Sequence, residues 1–314
     1  MTGIAVAGVT ASGKSDLATE LAVRYGGEVI SCDSMLVYRG CDIGTAKPSE
    51  AEKRGIVHHL IDIFEPEQPF SAADYSALCE RAEADILGRG KMPVICGGTG
   101  LYLDCFLRGG LPDAAVKDDA VRARLEAECA ENGAEAMYRR LEALDPEAAR
   151  SMHANNVRRV IRALEIIEVS GKTKTEMDKN TPQRVCVRDY GVIVLDYSDR
   201  ELRSAVIEAR VRKMFDMGLA EETAQLRAQG VFEKCAAAAQ AIGYKELFLY
   251  LDGKESREDA IMRLTYATRR YAKRQATWYA ALPYARHLLV DENGRRKRLE
   301  KLADEAAGLL ELDK

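Results

Sequence analysis

The stretch GVTASGKS, residues 8–15, follows the apolar run IAVA and precedes an amphipathic segment. It satisfies the phosphate-loop pattern G-x-x-x-x-G-K-[ST] at every position. In such a loop backbone N–H groups wrap phosphate oxygens and the following helix adds its positive dipole end. Gly8, Thr10, Ala11, Ser12, Gly13, Lys14 and Ser15 are therefore the candidate diphosphate-binding residues, with Lys14 as a point charge and the Ser15 hydroxyl as a magnesium ligand. All of this recognises a diphosphate, and nothing in it specifies a purine. An NTPase normally adds an acid at the end of a later strand to help hold its magnesium. Here the best later strand, VICGG, ends in glycines and Thr99, while the first acid at a strand end is Asp33 in VISCDSM. Its placement over the loop suits work on a second substrate, although an Asp after a strand also serves as a turn former or helix cap.

The elements that must position these residues alternate. A strand at residues 4–7, the loop, a helix carrying Leu17, Ala18, Leu21 and Ala22, a strand ending at Asp33, a helix near residues 72–87 and the strand MPVIC follow one another. This order predicts an α/β fold, a parallel sheet with helices on both faces, whose ligands sit at the carboxyl ends of the strands. From about Leu111 to Lys179 the pattern becomes charged amphipathic helices, one of them over residues 157–169 with Asn155 and Asn156 at its start and Gly171 at its stop. YGVIVLDY then reads as another buried strand, with helices expected to the end. The predicted organisation is a core of residues 1–111 and 186–314 interrupted by an all-helical insertion at 112–185.

A chain of 314 residues can bury a core large enough for two domains. No apolar run approaches the roughly 20 residues that span a bilayer, and the phosphate loop begins too early to leave room for a removable signal, so a cytoplasmic protein without membrane contact is expected. The eight cysteines lack a C-x-x-C pair and read as buried thiols, and the four histidines read as structural, without a zinc site. Net charge is -4, yet residues 263–286 carry six basic residues, no acid, and five interleaved aromatics. A second basic cluster is NNVRRVIR, residues 155–162. Two such stripes on an acidic protein suit a polyanionic partner, and each also fits a solvated helix surface.

DSMLVYRGCDIGTAKP, residues 33–48, with GVTASGKS, GGTGLY, VRRVIRALE, QAIGYKE and YAKRQATW, resembles the bacterial tRNA dimethylallyltransferases of the isopentenyl diphosphate transferase family, over nearly the whole chain and in the same order. The resemblance implies a P-loop NTPase-like core whose loop binds dimethylallyl diphosphate with magnesium. It implies transfer of the dimethylallyl group to N6 of the adenosine 3′ of the anticodon, with release of diphosphate. Asp33 matches the general base and Thr99 the residue orienting the amine; Lys14 and Arg210, in VIEARVRKMF, match cations that stabilise the leaving diphosphate. A stacked adenosine must be flipped to reach such a site. By the same match the tRNA anticodon stem-loop meets Asp33, Ser34, Met35, Leu36 and Thr99, then Arg122, Arg158, Arg159, Val160, Ile161 and Arg162 of the insertion. In the second half it meets Gln240, Gly243, Tyr244, Lys245, Lys273, Arg274, Gln275 and Trp278. Leu36 stands where many relatives have Gln, so a polar contact there does not carry over. The end at Lys314, without the Cys/His-rich extension of eukaryotic relatives, implies a zinc-free enzyme of the bacterial kind, expected as a monomer.

Two other enzyme readings share the loop: an adenylate isopentenyltransferase acting on free AMP, ADP or ATP, and a small-molecule kinase. The helical insertion and YAKRQATW favour RNA over a free nucleotide, and a kinase leaves the basic aromatic stripe unexplained. A non-catalytic RNA-binding protein with a vestigial loop does not need Lys14, Ser15, Asp33 and Thr99 all intact.

Overall fold

The structure, a computed structural model, describes residues 1–110, 116–180 and 185–312. The chain divides into two compact units, residues 1–107 with 187–314, and residues 108–186. The expected boundary at residues 111 and 112 lies outside the described residues.

In the first unit, β1 (Gly3–Gly8), β2 (Gly27–Ser31), β3 (His58–His59), β4 (Met92–Gly97), β5 (Tyr190–Asp196) and β6 (Ala285–Leu289) form one six-stranded sheet in the order β3-β2-β4-β1-β5-β6. Every pairing in it is parallel. β1 is buried along its whole length, as expected where both faces of a parallel sheet are covered. The helices are α1 (Lys14–Arg24), α2 (Glu50–Lys53), α3 (Ala72–Gly88) and α4 (Gly100–Leu107) before the second unit. That unit holds α5 (Asp119–Asn132), α6 (Ala134–Leu144), α7 (Pro146–Arg150), α8 (Val157–Ser170) and α9 (Lys174–Asn180). After it come α10 (Arg200–Asp216), α11 (Leu219–Ala228), α12 (Val231–Lys234), α13 (Ala236–Gln240), α14 (Phe248–Leu251), α15 (Arg257–Ala280) and α16 (Leu299–Leu310).

One apolar core joins Leu17, Ala18 and Leu21 of α1 to Ile4 and Val6 of β1, Val94 of β4, and Leu302 and Ala306 of α16. Full burial of each large aliphatic side chain contributes about 1.5–3 kcal/mol, so the regular apolar spacing of α1 is what seats the phosphate loop on the sheet. A second core, of Val211, Met214 and Phe215 from α10, Leu219 and Leu226 from α11 and Leu264 from α15, closes around Val37, Tyr38 and Cys41. The helical unit has its own core of Leu125, Met137, Leu141, Val160, Ile161 and Leu164. No described helix is long and apolar enough to cross a membrane.

Three features depart from expectation. The segment after β5 is not helical throughout, because β6 closes the sheet edge and β7 (Asp291–Glu292) pairs antiparallel with β8 (Arg295–Arg296). β6 is an edge strand with Arg286, His287 and Leu289 exposed, so its sequence lacks the apolar run that marks the inner strands. The second edge, β3, is two residues long, and His59 there pairs at 2.7 Å with the buried Glu28, which Arg89 and Lys91 also hold. Six cysteines are buried, but Cys129 and Cys186 are half-buried, and no disulfide joins them.

Candidate active site

The phosphate loop leaves β1 at Gly8 (φ 145°), turns through Ala11 (φ 64°) and enters α1 at Gly13 (φ 85°). Gly13 caps α1 without a side-chain hydrogen bond, so N–H groups of the first helical turn keep no capping partner and face any anion in the loop. The loop is braced from outside. Tyr197 donates its hydroxyl to the Ala11 carbonyl at 2.7 Å, and Arg296 of β8 donates to the Ser12 carbonyl at 3.0 Å. Ser12 is fully buried with an unpartnered hydroxyl, so it stands behind the loop and does not line the cavity in front of it.

That cavity has a volume of about 530 Å3 and opens at the carboxyl ends of β1, β2 and β4. Asp33 reaches it because β2 and β4 are locked together at their ends. The Cys32 N–H donates to the Cys96 carbonyl at 2.7 Å, and the Thr99 N–H donates to the Cys32 carbonyl at 3.3 Å. A Cβ on Gly97 would stand 1.9 Å from the Cys32 oxygen, so glycine alone permits this approach. The approach brings Asp33 and Thr99 side by side: Thr99 Oγ1 accepts the Ser34 N–H at 3.2 Å and keeps its own O–H to donate. Asp33 Oδ1 accepts the Met35 N–H at 2.9 Å, an Asx turn that fixes the carboxylate, while Oδ2 has no donor among the described residues. The turn-forming reading of Asp33 thus holds.

Lys14 and Arg210 converge on the same cavity. Burial pushes the Lys14 ammonium down from 10.5, with Cys96 and Asp33 opposing that shift and Arg210 adding to it. Lys14 donates only to the Val9 carbonyl, at 3.4 Å. Burial also lowers Arg210, opposed by Asp33, Glu52 and Asp16. Arg210 has no ion pair among the described residues. Among the described residues, Asp33 is the only carboxylate lining a cavity that Lys14, Arg210, Lys245 and Arg274 also line. Two cations kept close together beside an uncapped helix end form a preorganised anion site. At the end of β4, where an NTPase would place its second acid, stands Cys96, whose thiol burial pushes up to about 11.

The far side of the cavity is apolar. Ile207, Arg210, Val211 and Met214 share one face of α10 at helical spacing, so the helix that brings the guanidinium also brings a hydrophobic wall, continued by Leu264 of α15. Sequence reading had Arg210 and missed this wall, although the same i, i+3, i+4, i+7 pattern marks it. It also missed Tyr271, which lines the cavity close enough to Asp33 that the carboxylate adds to the upward push of burial on its phenol.

The expected RNA-contacting residues divide into groups. Ser34, Met35, Leu36, Gln240, Gly243, Lys245, Arg274 and Gln275 line the cavity. Gln275 is buried and bridges the site, accepting the Thr10 N–H at 2.8 Å and donating to the Gly98 carbonyl at 2.9 Å, so it braces the phosphate loop itself. Tyr244 is fully buried and donates to Glu222 at 3.0 Å, so its side chain is engaged by the scaffold. Lys273 and Trp278 are exposed, Trp278 packing over Gly100 at the start of α4. Along α15, Arg263 and Arg269 pair with Glu255 and Glu208, whereas Arg270, Lys273 and Arg274 have no carboxylate partner among the described residues. Arg270 and Arg274 instead stand over Tyr266 and Tyr271, at 5.8 and 5.6 Å from the ring centres.

In the helical unit, Val160 and Ile161 belong to the apolar core, so their side chains are not available to a partner. Arg122 and Arg162 both hold the buried carboxylate of Glu165, at 2.6 and 2.9 Å. Burial alone would raise Glu165, and these hydrogen bonds outweigh it and bring it below its ordinary range. Arg158 and Arg159 remain exposed on α8, without a partner among the described residues.

The model of the IPP transferase family matches residues 36–281, most of the chain. The chain belongs to that family. A tRNA dimethylallyltransferase of Geobacillus kaustophilus is 43% identical over 309 residues, 98% of this chain and 97% of the relative. One of Bacillus velezensis is 45% identical over 277 residues, covering 88% and 87% of the two chains. The crystal structure of a tRNA isopentenylpyrophosphate transferase from Bacillus halodurans superimposes with TM-score 0.70 at 38% identity over 99% of this chain and 97% of that one. A eukaryotic dimethylallyltransferase acting on tRNA superimposes with TM-score 0.79 at 30% identity, covering 91% and 73% of the chains. For an IPP transferase the α/β core with its parallel sheet is thus the expected frame, and the phosphate loop and Asp33 lie at the carboxyl edge of that frame.

Proposed function

We infer that this IPP transferase family member prenylates tRNA, moving the dimethylallyl group of dimethylallyl diphosphate to N6 of the adenosine 3′ of the anticodon. The observation that carries the reading is the convergence of Lys14 and Arg210 on an uncapped phosphate loop, with Asp33 the one carboxylate lining their cavity among the described residues and an apolar wall opposite. The cationic end suits a diphosphate and the wall of Ile207, Val211 and Met214 suits a short branched hydrocarbon. In the reaction the allylic C–O bond breaks, its electrons leave on the diphosphate, and the N6 lone pair forms the C–N bond. The N6 proton passes to Asp33, which makes the weakly nucleophilic amine competent as the bond forms. Thr99 and the Asx turn at Met35 hold the carboxylate and the amine in register. Lys14, Arg210 and the loop N–H groups bind the charge that grows on the leaving diphosphate more tightly than the ground state.

The donor set fits magnesium: Ser15 offers a hard hydroxyl oxygen at the mouth of the loop, next to where diphosphate oxygens would supply the others. Bound there, the ion would neutralise part of the leaving group's charge. The free cations of α15 and the stacked aromatic faces of Tyr266 and Tyr271 suit phosphates and unstacked bases, as a flipped adenosine in a single-stranded loop requires. No step needs a membrane, and the enzyme acts in the cytoplasm where tRNA is processed.

The test is a substrate competition with magnesium and radiolabelled dimethylallyl diphosphate, offering unmodified tRNA in one reaction and AMP or ATP in another. Label in tRNA alone is expected. Label in the free nucleotide would reassign the acceptor, and label in neither would overturn the reading. Replacing Lys273 and Arg274 together by alanine is expected to weaken tRNA binding and to lower its salt slope by about 1–2, since each phosphate contact adds roughly 0.7–0.9 to that slope. Filter binding across a salt series measures it, and an unchanged slope removes α15 from the RNA surface.

A further inference from the structure

Residues 33–49 run from the end of β2 to α2 without helix or sheet strand, yet Ser34, Gly44 and Ala46 form one wall of the cavity. A segment of that length needs partners for its backbone. Lys47 supplies part of the answer from within, donating to the Tyr38 carbonyl at 3.1 Å and pairing with Asp42 and Asp62. Residues 62–64 supply another part through backbone bonds to Leu36, Val37 and Arg39, and α11 supplies the part at residues 42–44. Glu222 Oε2 accepts the N–H groups of Asp42 at 3.2 Å and Ile43 at 2.7 Å, and Oε1 accepts that of Gly44 at 3.0 Å. Oε1 also accepts the Tyr244 hydroxyl at 3.0 Å, so one carboxylate gathers four donors from two segments that both line the cavity. The segments touch. A Cβ on Gly44 would stand 2.4 Å from the Tyr244 ring, and one on Gly243 would stand 2.8 Å from the Gly44 oxygen.

We propose that Glu222 is a positioning residue, whose carboxylate clamps the backbone of residues 42–44 against Tyr244 and so shapes the wall on which the acceptor adenosine rests. The proposal rests on the assigned reaction for the nature of that acceptor, but the clamp itself does not. Among the described residues the hydrogen bonds of Glu222 come from Asp42, Ile43, Gly44 and Tyr244 and none from the phosphate loop, so its contribution falls on the tRNA side of the site and not on diphosphate.

Glu222→Gln is nearly isosteric and tests this directly, because the amide replaces one accepting oxygen by a donor and leaves at least one of the gathered N–H groups without a partner. Amide hydrogen exchange of residues 42–44 is expected to quicken by about tenfold or more, while the amides of β1, β4 and β5 keep their protection. The KM for tRNA is expected to rise by about tenfold, the scale of one orphaned donor, with the Kd for inorganic pyrophosphate and magnesium unchanged. Glu222→Asp, which keeps the charge and withdraws both oxygens by one methylene, is expected to give the same local pattern. Unchanged exchange at residues 42–44 overturns the clamp. An unchanged KM for tRNA, or pyrophosphate binding weakened in parallel, overturns the positioning role. Absence of transfer by the parent protein overturns the assigned reaction instead, and the exchange rates then decide the clamp alone.

Discussion

Replacing Asp33 by alanine is expected to lower turnover by about two orders of magnitude or more while leaving tRNA binding nearly intact, the scale on which a positioned general base acts. The geometry makes the prediction specific. Among the described residues Asp33 is the only carboxylate lining the cavity, its Oδ1 is held by the Met35 N–H, and its Oδ2 has no donor. Removing the side chain releases the turn at residues 33–35, but the strand ends stay locked through the backbone bonds of Cys32 to Cys96 and Thr99. Single-turnover transfer with saturating tRNA isolates the chemical step, and a near-normal rate would remove Asp33 from the role of base.

Lys14→Ala is expected to reduce kcat/KM for dimethylallyl diphosphate by about 10²–10³, comparable to losing one preorganised donor to a developing anion. Its stability is expected to move the other way. The ammonium lies deep enough that burial lowers it from 10.5, and its only hydrogen bond among the described residues is a long one to the Val9 carbonyl. A charge held there against desolvation, with Arg210 adding repulsion, destabilises the fold until an anion arrives. Removing it should leave the thermal midpoint equal or higher in the absence of diphosphate, the exchange of activity for stability common at binding sites. A fall in the midpoint of several degrees would show that Lys14 holds the loop together and does not wait for a ligand. Pyrophosphate should raise the midpoint of the parent protein and not that of the variant.

Much of this site was legible in the sequence because its parts are local. The phosphate loop, the apolar run before it and the helix after it are contiguous, and the conformation at Gly8 and Gly13 follows from residues a few positions away. The sheet's inner strands were legible for a similar reason, since β1, β4 and β5 are buried on both faces and read as unbroken apolar runs. Asp33 and Thr99 could be placed at strand ends, but their adjacency depends on β2 pairing with β4, a contact between residues far apart in the chain.

What failed to show in the sequence failed for one physical reason: the partner of a charged or polar side chain is chosen by packing. Arg122, Arg162, Arg158 and Arg159 look alike as letters, yet Arg122 and Arg162 neutralise a buried Glu165 while Arg158 and Arg159 remain exposed. Gln275 reads as one more polar residue on a basic helix, and the fold makes it a brace between Thr10 and Gly98. Tyr244 belongs to a motif that suggests an exposed contact, and the fold buries it against Glu222. The short edge strands β3 and β6 carry too little burial to imprint a pattern, so only the completed sheet reveals them. The sequence alone determined the class of fold, the phosphate-loop conformation and the two strand-end residues beside it, because these rest on backbone conformation and on apolar periodicity over neighbouring residues. Only the tertiary structure decided which cations face the cavity, which carboxylate stands alone among them, and which polar groups serve the scaffold, because each depends on long-range burial and on the cost of leaving a buried charge unpaired.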